Sequence, residues 1–368
     1  MEVEPMRLAL RLARRAYGFT SPNPMVGAVL VRAGRVIGQG WHHRAGEPHA
    51  EIEALRDASR RGEKVKGATL YVTLEPCCTH GRTPPCTEAI IVAGIRKVVV
   101  GATDPNPAHQ GRAFSLLRRA GILVEHGRLE TSCSTLNKSF NHWVTTKTPF
   151  VTVKAAMTLD GKIATAQGES KWITGDKARA YGMKLRQGAD AILVGVNTVL
   201  ADNPRLTVRT PRGSGKVLKR IVLDSRARTP LEAAVVSDEQ AAGTTTLVVT
   251  SRAPQKRVSA LQRRVRVVTA PLGKQGIDLG WLLQQLGTEQ VTSLLVEGGG
   301  QVNASFLLGG FAQEIAFFYA PKILGGRDSL RGVAGEGVSS LHEALRLSEV
   351  RWQRLGVDWL LTARVQTP

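Results

Sequence analysis

LEPCCTHGRTPPC, residues 74–86, holds three of the chain's four cysteines, and PHAEIEAL, residues 48–55, lies upstream of it. The way these two stretches sit among helices and strands decides the fold of the first half. ATLYVTL (68–74) runs into the cysteines and is β-rich, and PPCTEAIIVAGI (84–95) leaves them as a helix with proline at its start. KVVVGA (97–102) reads as a buried strand. Upstream, VGAVLV (26–31) and RVIG (35–38) form a hairpin around Ala33-Gly34, and a helix follows from Pro48 to about Arg60. Met6, Leu8, Ala9, Leu12, Ala13 and Ala16 recur at helical spacing and predict an amphipathic opening helix. Residues 111–120 read as helix and ILVEHG as a short strand. The alternation predicts an α/β domain with helices covering a sheet.

Periodicity fades over residues 126–149, and PFVTVKAAMTLDGKIA then opens a second β-rich pattern. The expected domains are therefore 1–146 and 147–368. In the second, DAILVGV, RIVLDS, TTTLVVTS, RVRVVTA, SLLVEGG and EIAFFYAPKIL read as strands and GWLLQQLG as helix. PRGSGKVLK (211–219) reads as a flexible surface loop.

No apolar run reaches the ~18 residues of a membrane span, and the N-terminus lacks a secretory h-region. Cysteines at 77, 78, 86 and 133 make a poor disulfide framework, so a reducing cytoplasm is expected. The formal net charge is +20. Residues 1–146 hold 20 Lys and Arg against 12 Asp and Glu, and the remainder holds 30 against 18. An excess spread this evenly favours anionic small molecules over a nucleic-acid tail.

A catalytic zinc site takes three protein ligands and leaves one position open, and imidazole and thiolate donors suit the ion. His49, Cys77 and Cys86 supply that set. Both His49 and Cys86 stand at helix starts, where free N–H groups and the dipole favour thiolate. Glu51, two residues past His49, can face the site without being a ligand. Cys77 follows Glu75-Pro76 as the His-x-Glu and Pro-Cys pattern of zinc deaminases requires; Cys78 is one residue late. Eight residues separate Cys77 from Cys86, more than in the short Cys-x-x-Cys of cytidine deaminases. In the second half, LLVEGGGQVNASFL (294–307) is a strand, a glycine-rich turn and a helix, whose N–H groups can cradle a phosphate. It is not the Gly-x-Gly-x-x-Gly of a dinucleotide fold.

The string at 74–86, with TSPNPMVGAVLV, GWHHRAGEPHAEIEAL and DPNPAHQG, resembles the bifunctional riboflavin-biosynthesis deaminase–reductases. TLDGKIA, GESKWITG, LRQGADAILVGVNTVLADNPRLTVR and RIVLDS resemble the reductase half of the same family. The resemblance spans nearly the whole chain. It implies a cytidine-deaminase-like α/β/α domain followed by a dihydrofolate-reductase-like α/β domain, with one zinc and NADPH as cofactors. The implied substrate is 2,5-diamino-6-ribosylamino-4(3H)-pyrimidinone 5′-phosphate, deaminated hydrolytically and then reduced along its ribosyl chain to 5-amino-6-(5-phosphoribitylamino)uracil.

The resemblance implies that Glu51 moves the proton, and that Asn23, His42, His80 and Asn106 bind the deaminase substrate. Ala156, Trp172, Thr198, Asp202, Ser225 and the run Gly299, Gly300, Gln301, Val302, Asn303, Ala304 and Ser305 would line the NADPH site. Lys154, Ser170, Arg186, Leu206, Arg209 and Glu297 would hold the reductase substrate, with Arg186 and Arg209 suited to its phosphate. Lys154 and Asp160 are the candidates for protonating the product. A homo-oligomer, most simply a dimer, is expected, with neither nucleic acid nor membrane as partner. The chain departs from the family at Ala113, where a second glycine usually follows Gly111; if that position needed positive φ, alanine would cost about 1 kcal/mol. Two other classes compete. A nucleic-acid base deaminase would fit the charge but not the long Cys-to-Cys spacing or the DGKIA and WITG strings. A structural zinc module would leave Glu51 without a purpose and would need a fourth ligand, such as Cys78.

Overall fold

The computed structural model describes residues 4–79, 84–210, 213–273 and 276–366. Its backbone divides into two compact units, Met1–Lys147 and Thr148–Pro368.

The first unit is a five-stranded sheet between two helical layers. Helix α1 (Pro5–Ala13) precedes a hairpin of β1 (Gly27–Arg32) and β2 (Arg35–Trp41). Ala33 and Gly34 both adopt positive φ, the geometry that a two-residue hairpin turn with right-handed twist requires. Then come α2 (Ala50–Arg60), β3 (Thr69–Leu74), α3 (Cys86–Val92), β4 (Lys97–Ala102), α4 (Arg112–Arg119) and β5 (Leu123–Glu125). The strand order is β2-β1-β3-β4-β5. β3, β4 and β5 run parallel, and the hairpin is antiparallel. Ala50, Ala54 and Ala58 of α2, Ile90 of α3 and Leu117 of α4 cover one face of the sheet. Met6, Ala9 and Leu10 of α1 cover the other. Helix α2 lies unusually close to β2: a Cβ at Gly40 would stand 2.4 Å from the backbone nitrogen of Ala54. That close seating fixes the helix start that carries His49 and Glu51.

Residues 126–149, expected to be irregular, hold two helices, α5 (Glu130–Leu136) and α6 (Lys138–Thr146). Their sequences, ETSCSTL and KSFNHWVTT, bury only Cys133 and Val144, so no apolar stripe announces them. What anchors them is Asn137 between the two, whose side chain bonds both the N–H and the carbonyl of Met25.

The second unit is a nine-stranded sheet. Its strands are β6 (Phe150–Thr158), β7 (Ala191–Gly195), β8 (Lys219–Leu223), β9 (Thr245–Val249), β10 (Arg266–Thr269), β11 (Ser293–Val296), β12 (Glu314–Ala320), β13 (Leu347–Leu355) and β14 (Asp358–Val365). They lie in the order β10-β9-β8-β7-β11-β6-β12-β14-β13. The first seven in that order are parallel; β14 and β13 are antiparallel additions at one edge. The buried runs AILVG, RIVL and SLLV are what two covered faces demand of parallel strands. Helices α7 (Asp176–Gly188), α8 (Val196–Asp202), α9 (Gln255–Gln262), α10 (Leu279–Thr288) and α11 (Gly300–Leu308) supply the cover. The chain leaves β6, builds outward from β7 to β10, and returns to insert β11 between β7 and β6. A reversal of this kind opens a crevice at the carboxyl ends of the strands, where open α/β sheets bind ligands.

Candidate active sites

In the first unit, β3 ends at Leu74 and delivers Cys77, α2 begins at Ala50 with His49 as its cap, and Cys86 is the first residue of α3. The three converge. His49 Nδ1 lies 3.4 Å from Cys77 Sγ and 3.3 Å from Cys86 Sγ, and the three ligand atoms fall within 4.8 Å of one another. The Cys86 N–H donates to Cys77 Sγ over 3.2 Å. The Cys86 thiol, that N–H and His49 together hold the Cys77 thiol down at about 4, against the opposing effect of burial. Sharing a proton with Cys77, and being buried, pushes the Cys86 thiol up. A buried set of one imidazole and two thiol groups, one of them strongly acidified, fits zinc with one position left open. Glu51 is only 3% exposed. Burial and the neighbouring Cys77 raise its carboxyl to about 7.

Cys78 stands outside this set, with its sulfur 3.9 Å from His109 Nδ1. Cys86→Ser is expected to lose most of the zinc measured by metal analysis, and Cys78→Ser to retain it; the reverse result would overturn the ligand assignment.

Asn23 and His42 meet beside the metal ligands. The Asn23 amide lies 3.1 Å from His42 Nε2, and His42 Nδ1 lies 3.1 Å from the Pro48 carbonyl. The two rings His42 and His49 meet edge to face at 5.2 Å. Burial lowers the His42 pKa, so a neutral ring donates to Pro48 and accepts from Asn23. Asn106 sits in a loop that it closes itself, its side-chain oxygen accepting from the Ala108 N–H. His80 lies outside the described residues.

Glu75 is a residue the sequence reading passed over except as part of a motif. Its buried carboxylate accepts the N–H groups of Asp104, Gly111 and Ala113 at 3.2, 3.0 and 3.1 Å. One side chain thus ties the strand end carrying Cys77 to the DPNPAHQG loop and the start of α4. The signal was a carboxylate in an otherwise apolar strand end, two residues before a ligand. Ala113 lies inside α4, fully buried, and only Gly111 takes positive φ there. The departure from the family therefore carries no backbone strain.

The second unit holds a cavity of about 1090 Å³ at the carboxyl ends of β6, β7 and β11. Lys154, Ala156, Ser170, Trp172, Arg186, Thr198, Asp202, Leu206, Arg209, Glu297 and Gly299 all line it. Its size, its place at the sheet reversal and the exposed Trp172 indole fit a dinucleotide beside a substrate. Ser225 and residues 300–305 are not part of that lining. Ser225 follows β8, where its carbonyl accepts from the Thr250 hydroxyl. Of the glycine-rich turn, Gly299 faces Thr198, whereas Gly298 makes room for Val302 and Gly300 for the Arg331 carbonyl. Asn303 is buried and donates to the Gly332 carbonyl at 2.8 Å.

Arg186, expected at the substrate phosphate, lines the cavity, and three of its five N–H groups are taken by the protein. Nε and Nη2 donate to the two Glu297 oxygens at 2.8 and 3.0 Å, and Nη1 donates to the Thr207 carbonyl at 2.9 Å. Lys154 Nζ joins Glu297 at 3.4 Å. Burial alone would raise the Glu297 carboxyl, but the Arg186 and Lys154 cations outweigh it and hold it at about 2. Asp160, the other candidate proton donor, lies outside the cavity lining. It accepts from the Thr158 hydroxyl and from the N–H groups of Leu324 and Gly325, which hold it ionised at about 2.

Comparison with known proteins agrees with both sites. Residues 2–102 match the cytidine and deoxycytidylate deaminase zinc-binding region, and residues 149–361 match the RibD C-terminal domain. Riboflavin biosynthesis protein RibD of Actinobacillus pleuropneumoniae is 43% identical over 367 residues, covering 100% of this chain and 96% of that one. The Escherichia coli protein of the same name is 43% identical over 366 residues, 96% of each chain. The solved RibD structure from Acinetobacter baumannii aligns with a TM-score of 0.86 at 36% identity over 99% of this chain and 98% of that one. A diaminohydroxyphosphoribosylaminopyrimidine deaminase/5-amino-6-(5-phosphoribosylamino)uracil reductase from Thermotoga maritima aligns at 0.83, also 36% identical, over 98% of each. A His-Cys-Cys cluster with a buried glutamate and a separate cavity at a parallel-sheet reversal, carried on a chain alike from end to end, have one common explanation: this protein belongs to the RibD family of bifunctional, zinc- and NADPH-dependent deaminase–reductases of riboflavin biosynthesis.

Proposed function

We propose that residues 1–146 deaminate 2,5-diamino-6-ribosylamino-4(3H)-pyrimidinone 5′-phosphate and that residues 147–368 reduce the product's ribosyl chain to give 5-amino-6-(5-phosphoribitylamino)uracil. The convergence of His49, Cys77 and Cys86 beside buried Glu51 carries the first half of this reading. Zinc, when bound by those three residues, supplies acidified water. Glu51 takes up a proton from the attacking water and returns it to the departing amine. Asn23, oriented by His42, holds the pyrimidine, and Asn106 binds the substrate with it.

NADPH, when bound, supplies hydride. Trp172, Thr198, Asp202, Ala156 and Gly299 line its place. Glu297 and Lys154 face the opened sugar, and Lys154 is the remaining candidate to protonate the product. Incubating the protein with the diaminopyrimidine phosphate, with and without NADPH, and weighing the products by mass spectrometry tests both halves. The expected mass changes are those of deamination alone without NADPH, and of deamination plus two hydrogens with it.

We place the protein in the cytoplasm as a homodimer. All four cysteines are free thiols. Among the described residues no helix is long and apolar enough to cross a membrane. The edge strand β13 exposes both faces, with Val350 and Trp352 on it and Trp359 on its neighbour, and a second copy would cover them. Light scattering at the monomer mass would refute the dimer. Binding to duplex or single-stranded nucleic acid is expected to be weak and to fade steeply with salt; sequence-specific binding that survives physiological salt would favour a base deaminase instead.

A further inference from the structure

A carboxylate is costly to bury unless donors surround it. Glu75 is 5% exposed, sits just past β3, two residues before Cys77, and takes backbone N–H groups as its donors. Its Oε2 accepts Asp104 at 3.2 Å and Gly111 at 3.0 Å, and its Oε1 accepts Ala113 at 3.1 Å. Both ends of the loop 104–113 therefore close on one side chain. Inside the loop the bonding continues to Asn106. The Asp104 side chain accepts the Asn106 N–H at 2.9 Å, and the Asn106 side-chain oxygen accepts the Ala108 N–H at 3.1 Å. The Asn106 carbonyl takes the N–H groups of His109 and Gln110 at 2.8 and 2.9 Å. With its oxygen engaged, Asn106 keeps its amide NH2 group, which donates to no described residue.

The strand end does not depend on this side chain. The Glu75 N–H donates to the Ala102 carbonyl at 2.9 Å and so extends the pairing of β3 with β4. Cys77 has bonds of its own: its carbonyl accepts the Thr87 N–H at 3.2 Å, and its sulfur accepts the Cys86 N–H at 3.2 Å. The loop is the opposite case. Residues 104–112 are all exposed or half-buried, so no apolar core seats them. Loss of the carboxylate should therefore release the loop and leave the metal ligands in place.

We propose that Glu75 is a positioning residue of the deaminase, holding the loop that aims the Asn106 amide at the substrate. The inference rests on reading Asn106 as a substrate contact. A carboxylate accepts N–H bonds more strongly than a neutral oxygen does. Two of its three donors belong to the start of α4, where the helix dipole favours negative charge. Glutamine in its place has one oxygen for three donors and turns an NH2 group towards the others, so at least one N–H loses its acceptor.

Steady-state deamination of the diaminopyrimidine phosphate by Glu75→Gln, Asn106→Ala and the double variant tests this. Glu75→Gln should raise KM about tenfold while kcat changes far less. Its zinc content, and its reduction of supplied deaminated intermediate, should match wild type. The double variant should stay within about twofold of Asn106→Ala, because nothing remains to be aimed once the amide is gone. Asp104→Ala cuts the relay inside the loop without touching the buried carboxylate, so it reads the same coupling even where Glu75→Gln fails to fold. It too should raise KM and add little to Asn106→Ala. Losses that multiply with Asn106→Ala, or wild-type KM in Glu75→Gln and Asp104→Ala beside a raised KM in Asn106→Ala, would overturn the role of Glu75 and leave Asn106 a contact. Loss of zinc from Glu75→Gln would overturn it in favour of a metal-site role. Wild-type KM in Asn106→Ala would overturn the reading of Asn106 and the inference with it.

Discussion

Glu51→Gln is expected to keep its zinc and to lose deamination by about 10²–10⁴-fold or more. The side chain is buried to 3% exposure at the second position of α2, beside the cap residue His49. It supplies no ligand atom to the set formed by His49, Cys77 and Cys86. An amide of the same shape therefore leaves the metal site standing but cannot accept and return a proton. The carboxyl's rise to about 7, caused first by burial and then by Cys77, places it where both protonation states are within reach at neutral pH. Metal analysis and a thermal melt should match wild type. Near-normal turnover would remove Glu51 from its role, and loss of zinc would make it structural. Supplied with the deaminated intermediate, the variant should still reduce it, oxidising NADPH in equal amount. A folded Glu51→Gln protein unable to do so would show that the two units do not work independently.

Arg186→Ala should reverse the pattern: reduction falls by about 10²-fold or more, deamination stays within about twofold, and the deaminated ribosylamino-uracil phosphate accumulates even with excess NADPH. Removing the guanidinium leaves Glu297 buried with Lys154 alone at 3.4 Å, a change that typically costs about 3–5 kcal/mol when one partner of a buried pair is deleted. The ion pair's contribution also has a defined pH range. Glu297 is depressed from 4.5 to about 2, so its stabilisation is complete above about 4.5 and is lost as the pH falls towards 2. The difference in melting temperature between wild type and Arg186→Ala should therefore shrink on acidification below that range. A variant that binds intermediate weakly but turns over at the wild-type kcat would return Arg186 to plain substrate binding.

Much of this molecule is legible in its residues because the signals are local. Period-two and continuous apolar runs mark the strands of both sheets, since side-chain direction is set by the backbone alone. A histidine at one helix start, a Pro-Cys after a strand and a cysteine opening the next helix announce a metal site, because each geometry comes from its own segment. The helices α5 and α6 were missed for the complementary reason. They bury a single residue each and are held by Asn137 reaching Met25, 112 positions away. Glu75 was legible as a motif letter but not as the residue that joins three backbone N–H groups of a distant loop.

The reductase half shows where local signals stop. Arg186 and Arg209 look alike in the sequence, two arginines in one motif-rich stretch. The fold brings Glu297, 111 residues on, against Arg186, and leaves Arg209 exposed on the cavity wall. Likewise GGG at 298–300 reads as a phosphate cradle, yet two of its glycines serve close packing against Val302 and Arg331. The sequence by itself determined the family, most of the elements, the His49, Cys77 and Cys86 set and the presence of two chemistries, since residue type and spacing carry those. Only the tertiary structure showed that Arg186 pairs with Glu297 and that Glu75 is the hub of three backbone N–H groups. Those assignments are set by desolvation and by partners that packing brings together from distant segments, and neither is written in a residue's neighbours along the chain.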